Sequence, residues 1–325
     1  MSSSRLSDIR VRVFREIMRK MPNSLIMRLA QDNEVEVPFD ILGYPYEVSN
    51  FLLKELGSEA LEEIVMEYGD AGKPIVFLFT CEDETPSLEE LTKKSDALLS
   101  FEPESKTLES MPYFDEAYVH EPTGTFRVRF HYIKGRVFLL DKTVEIREER
   151  VAHYGVLILR PNKTVFEVRA RHKGVASKAA IRAAAVLGIE KPPYPPDFRK
   201  KEIIEKFLNW IRSLNNARIG FSVRETVSSL SMSARRGSDL RTDEDFRKYL
   251  EYGMLKGGHA TAYGQRVVKG QPRNVNFRIF FRDCRIYFTR FSYEDDIEYV
   301  VDALEEIGAG RQAETPQRIL EEFSK

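Results

Sequence analysis

Lys191-Pro192-Pro193-Tyr194-Pro195-Pro196 places four prolines in six residues. Each proline fixes φ and lacks a backbone N–H, so the stretch can be neither helix interior nor central strand. It reads as a stiff, extended connector and divides the chain of 325 residues into parts with separate cores. The same grammar stands on both sides of it. Val156 to Leu159 reads as a strand, Arg160-Pro161-Asn162-Lys163 as a turn and Thr164 to Ala170 as a second strand. An alanine-rich helix, Ala176 to Leu187, follows and ends at Gly188. Downstream, Phe277 to Arg282 and Arg285 to Phe291 form a hairpin across Asp283-Cys284, and a helix carries Ile297, Val300, Val301, Leu304 and Ile307. The identity between the two stretches is poor, so the repeat is one of pattern. It predicts two similar sheet-plus-helix units.

Each unit has strands ahead of its hairpin. Phe126, Val128, Phe130 and Tyr132 alternate with Arg127, Arg129 and His131, which predicts a half-buried strand with a basic outer face. A turn at Lys134-Gly135 leads to Val137–Leu140, and Val144 with Ile146 gives a third strand. In the second unit, an amphipathic helix bears Phe198, Ile204, Phe207, Leu208, Ile211 and Leu214. Ile219, Phe221 and Val223 then alternate as a strand. Residues 5–110 read as helical. Ile9, Val13, Ile17 and Met18 share a face, and Pro22-Asn23-Ser24 breaks and restarts the helix with Asn23 or Ser24 as cap. Val48, Phe51, Leu52 and Leu56 lie on a helix closed by Gly57, and Ser58 caps one with Leu61, Ile64, Val65 and Tyr68. Ser87 and Glu90 match a capping box.

The net charge of −1 hides a partition. Residues 1–30 carry +5, 31–110 carry −15, 111–193 carry +6, 194–293 carry +10 and 294–325 carry −7. Segment charge is what a polyanion meets. Two cysteines without Cys-x-x-Cys spacing exclude a disulfide framework and a cysteine-based zinc site. No apolar run approaches the ~18 residues of a membrane helix. The N-terminus has no signal-peptide core. These features predict a soluble, intracellular protein without a membrane partner.

Enzyme signatures are missing: no phosphate loop, no dinucleotide fingerprint, no His-Glu-x-x-His and no nucleophile elbow. No cofactor, metal site or catalytic residue is expected. A metal nuclease is the weaker alternative. Glu82-Asp83-Glu84 follows the apolar run ending at Phe79, and Glu167-Val168-Arg169 resembles a Glu-x-Lys element with an arginine that cannot act as a base. Lys256-Gly257-Gly258-His259-Ala260 reads as a hairpin tip. The strongest signal is basic density: eight basic residues and one acid between Arg150 and Arg182. Arg169 and Arg171 share one strand face, and Lys173, Lys178 and Arg182 continue onto the next turn and helix. Arg235-Arg236, Arg266, Lys269 and Arg273 add basic loops. Such clusters suit phosphates.

With these residues in place, the chain resembles the centromere protein N family of kinetochore components, related to centromere protein L. Ile17-Met18-Arg19-Lys20-Met21-Pro22 with Leu25 and Leu29 is similar to that family's N-terminal motif. Leu61-Glu62-Glu63-Ile64-Val65-Met66-Glu67-Tyr68 resembles another, and the match covers roughly residues 8–189. The resemblance implies an α+β chain. A small helical bundle, pyrin- or death-fold-like, occupies 1–110. Antiparallel sheet-plus-helix units follow at 111–190 and 198–325, across a connector at 191–197, and together resemble the saddle of the TATA-binding protein. It implies duplex DNA or nucleosome-like chromatin as partner, gripped in a basic groove between the helical and sheet domains. It further implies a centromere protein L-like partner, or a second copy, on the C-terminal unit. Lys20 matches a DNA-contacting lysine, and Arg171, His172 and Lys173 fall close to paired arginines of the family. Arg12 departs from the acidic residues with which the family reads its histone, although Asp8 matches another, so plain DNA fits better. The expected function is a non-enzymatic, chromosome-associated DNA-binding adaptor contacting DNA through Lys20, Arg169, Arg171, Lys173, Lys178, Arg182, Arg235 and Arg236. The alternative class is a death-fold-like interaction scaffold, in which the acidic 31–110 block matters more.

Overall fold

Ile75-Val76-Phe77-Leu78-Phe79 offers apolar side chains to both sides of an extended chain, and the fold uses both. The computed structural model describes residues 8–70, 74–100, 111–140, 146–220, 229–252, 259–268 and 271–308. In it this run is strand β1 (Ile75–Thr80), inside a ten-stranded antiparallel sheet. One edge of β1 pairs with β5 (Val165–Arg169), which sets Val76 opposite Arg169 and Phe79 opposite Phe166. The other edge pairs with β10 (Arg285–Phe288), Val76 opposite Ile286. Beyond β5 lie β4 (Ile146–Leu159), β3 (Thr125–Leu140) and β2 (Tyr113–His120). Beyond β10 lie β9 (Gln271–Phe280), β8 (His259–Val268), β6 (Ser213–Gly220) and β7 (Ser229–Ser233).

The side chains of β1 divide between two cores. Val76 and Leu78 join Phe277, Ile279, Ile286 and Phe288 under helices α8 (Lys201–Trp210) and α10 (Glu294–Gly308). Phe77 and Phe79 join Leu157, Phe166 and Val168 under helix α7 (Lys173–Leu187). The strand–turn–strand–helix pattern occurs twice, as β4–β5–α7 and β9–β10–α10, but within one continuous sheet rather than as separate units. Both inner strands run antiparallel to β1, so a half-turn about β1 relates the units in topology while exchanging the faces of the sheet. The helices lie on opposite faces.

Several boundaries differ from the sequence reading. The bundle does not extend to residue 110. It comprises α1 (Asp8–Lys20), α2 (Asn23–Asp32), α3 (Pro45–Glu55) and α4 (Ser58–Tyr68) around Phe14, Ile26, Val48, Leu52 and Val65. After β1, α5 (Leu88–Lys93) and α6 (Ser95–Ser100) pack Leu91 and Leu98 against the first sheet unit instead. The apolar run at 75–79 carried no helical period, and that was the sign of a strand buried on both faces. α2 starts after Pro22 and α4 after Gly57, so neither Asn23, Ser24 nor Ser58 is the cap. The Ser87–Glu90 capping box forms in both directions. No turn interrupts Lys134-Gly135. β3 runs on through an irregularity between Ile133 and Arg136, and β4 begins at Ile146. The strand expected at 219–223 starts earlier, at Ser213; Phe221, Val223, Val144, Lys269, residues 256–258 and any helix after 308 fall outside the described residues. The proline connector is pinned: Tyr194 exchanges backbone hydrogen bonds with Thr80, and the Cys284 thiol donates to the Pro196 carbonyl.

Gly155 of β4 sits across from Phe130, where a Cβ would lie 2.4 Å from the ring and 2.7 Å from the Arg169 carbonyl oxygen. Gly155→Ala should therefore lower stability by about 1–3 kcal/mol through overpacking. A thermal melt superimposing on the wild type would refute this.

Candidate nucleic-acid interface

Alternation along β3 assigned Arg127 and Arg129 to an outer, basic face. That face is buried. Arg127 is 0% exposed and donates to Asp70 at 2.8 Å and Glu294 at 2.6 Å. Arg129 donates to Glu116 at 2.9 Å and lies over the Tyr118 ring. Arg160 bridges Glu167 at 2.7 Å and Glu298 at 2.5 Å. Arg169, expected to touch DNA, is 4% exposed. It donates to Glu167 at 2.6 Å, to both oxygens of Glu294 at 2.6 and 2.7 Å, and to the Asp70 carbonyl at 2.7 Å. Four buried arginines thus meet five carboxylates supplied by the α4–β1 link, β2, β5 and α10. Burial alone would raise the Asp70 carboxyl, but Arg129, Arg127 and Arg169 outweigh it and hold the group below the usual carboxylate range. Glu167 is treated likewise, its burial overcome by Arg169 and Arg160, and is held at about 2. Glu298 goes the other way, raised by burial despite Arg160.

This arrangement corrects two expected contacts. Arg169 cannot reach a phosphate. Arg182 is also buried, donating to the Pro112 carbonyl and lying 4.6 Å from the centre of the Phe114 ring. The groove between bundle and sheet is occupied by protein charge. Glu167, the nuclease candidate, has each oxygen taken by an arginine and is closed to a metal. Among the described residues, no group of three or more His, Cys, Asp or Glu side chains could hold a metal ion.

The remaining expected residues are exposed. Lys20 ends α1 with a 3.7 Å ion pair to Glu16. Arg235 and Arg236 follow β7 at the far edge of the sheet, and Lys178 stands on α7. Only Arg171 and Lys173, with His172 between them, stay together, and the fold brings Tyr132, Lys134 and His153 beside them. At the start of α7, His172 is the N-cap without a side-chain cap bond, and the first turn holds no acid. The His153 ring is 5.9 Å from it and the Tyr132 ring 6.0 Å. Burial, then Lys134, His153 and Arg171, depress the His172 pKa, so these groups share one neighbourhood. Lys173 reaches Asp283 at 2.8 Å. Free amides at the start of a 15-residue helix favour an anion.

A second surface went unread. The outward positions of β6 to β10 carry Arg218, His259, Arg278, Phe280, Arg285 and Tyr287, away from the helix-covered core. Their signal was the polar-and-ring half of the alternation in 259–265 and 274–280, beside Ala260, Ala262, Phe277 and Ile279.

Among the described residues no helix is long and apolar enough to cross a membrane. No family model matches this chain, and no curated protein matches it.

Proposed function

We propose that this chain is a non-enzymatic, intracellular DNA-binding adaptor that grips the duplex backbone at the start of α7. The observation that carries the reading is the convergence there of Lys134, Arg171, Lys173, His153 and His172 around an uncapped helix N-terminus with no acid in its first turn. Phosphate contacts of this kind position a protein without reading sequence. Lys20 and Lys178 are further backbone contacts, and Arg235 and Arg236 lie apart from the cluster. The reading keeps the kinship with the centromere protein N family as part of the proposal, the four-helix bundle standing for the pyrin-like domain and the two sheet units for halves of a TATA-binding-protein-like sheet. It also keeps a chromosomal location. A protein partner, centromere protein L-like or a second copy, has an edge to use: among the described residues β7 pairs only with β6.

The expected result is steep salt dependence of duplex binding. Arg171→Glu with Lys173→Glu should cut affinity at least about tenfold and flatten the slope of log K against log salt by about 2. Fluorescence anisotropy on a mixed-sequence duplex measures both. Wild-type binding indifferent to salt, or a double variant that binds like the wild type, sinks the reading.

The interaction-scaffold reading has its own support. Phe39, Tyr44 and Tyr46 are 87%, 61% and 66% exposed, along the stretch that runs from the α2–α3 link into α3, and exposed rings suit a protein contact. If the bundle self-associates through them, Phe39→Ser with Tyr46→Ser should return the sedimentation profile to monomer. A wild type that is monomeric at high concentration would exclude self-association.

A further inference from the structure

Among the described residues no helix lies over the face of β6–β10 opposite α8 and α10, and strand register orders its outward residues into two rows. In one row His259 stands opposite Phe280 and Phe280 opposite Arg285. Arg218 is near enough to His259 to help depress its pKa, after burial and Arg278. In the other row Thr261 stands opposite Arg278 and Arg278 opposite Tyr287. The rings are wedged among the cations: Arg285 lies 4.0 Å from the centre of the Phe280 ring, and His259 stands 5.3 Å from it on the next strand. Tyr287 is 38% exposed. Arg218 directs its guanidinium to the Ser229 hydroxyl and Arg278 to the Thr261 hydroxyl. No ion pair with a carboxylate engages Arg218, Arg278 or Arg285 among the described residues. The described outward positions of these five strands contain no aspartate or glutamate. The nearby Asp283, in the β9–β10 turn, is engaged by Lys173.

A face of one sign with flat rings between its cations matches a polyanion whose monomers are themselves flat. Guanidiniums meet phosphates, and rings meet bases. A duplex keeps its base faces inside the stack and would leave the rings idle. A single strand offers both. We propose that the open face of β6–β10 binds single-stranded DNA, with a base stacked on Tyr287 and the backbone along Arg218, Arg278 and Arg285. The choice of DNA over RNA rests on the duplex reading above; the choice of a single strand does not.

The test is anisotropy on the full chain with labelled oligo-dT, a mixed-sequence duplex and oligo-rU. Tyr287→Ala and Arg278→Glu should each weaken oligo-dT binding about tenfold, the scale of one lost stack or phosphate contact. Tyr287→Leu, which keeps bulk and loses the ring, should weaken it similarly while melting like the wild type. Tyr287→Ala should leave duplex binding unchanged, and Arg171→Glu should weaken the duplex alone. The proposal is overturned if the wild type ignores oligo-dT at low salt, or if all three variants bind oligo-dT like the wild type. Equal loss of duplex and single strand in Tyr287→Ala, or oligo-rU bound tenfold tighter than oligo-dT, also overturns it. Absence of duplex binding with oligo-dT binding intact sinks the duplex reading and leaves this face standing.

Discussion

Arg169→Leu should lower the free energy of unfolding by about 3–5 kcal/mol, because it strands buried carboxylates without their cation. Glu167 and Glu294 are 0% and 4% exposed, and each loses a donor at 2.6 Å in this variant. Glu294→Gln should cost a comparable amount, since it leaves Arg127 and Arg169 with surplus buried charge. The double variant Arg169→Leu with Glu294→Leu should cost less than the two single losses together, because it removes partners as a pair. Urea unfolding measures all three. Single variants within about 1 kcal/mol of the wild type would mean that water reaches the cluster and the charges are not buried as described.

The same cluster fixes the acid limb of stability. The carboxyls of Asp70 and Glu167 are held below their unfolded values. Their contribution is complete above the unfolded carboxylate range of about 4 and is lost as pH falls through it toward about 2. Glu298 has the opposite sign, because its raised pKa means that its ionised form is disfavoured in the folded state. Protonating Glu298 at higher pH should therefore offset part of the loss, which sets in near the unfolded carboxylate range of about 4 and is complete once Asp70 and Glu167 themselves titrate.

Phe77→Ala should be as severe, at about 3–5 kcal/mol, through the cavity left under α7. Its informative property is where the damage registers. The chain has one tryptophan, Trp210, and it lies in the other core, against Phe207 and Phe277. β1 supplies side chains to both cores, so the Trp210 fluorescence transition should move to lower denaturant together with the far-ultraviolet signal. A Trp210 transition left at the wild-type midpoint would show that the two halves unfold separately.

What was legible in the sequence was local. The 126–132 alternation, the hairpin at 156–170, the helix over 176–187 and the capping box at Ser87 each depend on neighbours a few residues away, and each formed. The repeated strand–turn–strand–helix grammar was legible for the same reason. Non-local relations were not. β1 is apolar on both faces, so its alternation held no information about which side was inside. Arginine on alternate positions normally means solvent. Here Arg127 and Arg169 are neutralised by Glu294, far away in sequence, and no local rule anticipates that partner. Arg171 and Lys173 kept their exposed positions because a helix start cannot be buried without partners for its amides. The ringed face of β6–β10 was hidden by attention to its apolar half.

The seat of β1 also sets an order in time. Val76 is made 210 residues before its second neighbour, Ile286. Until then one edge of β1 is an unpaired row of amides and carbonyls beside exposed Val76 and Leu78, a template for any passing strand. Pairing of β10, not completion of the first unit, is therefore the step that closes this edge.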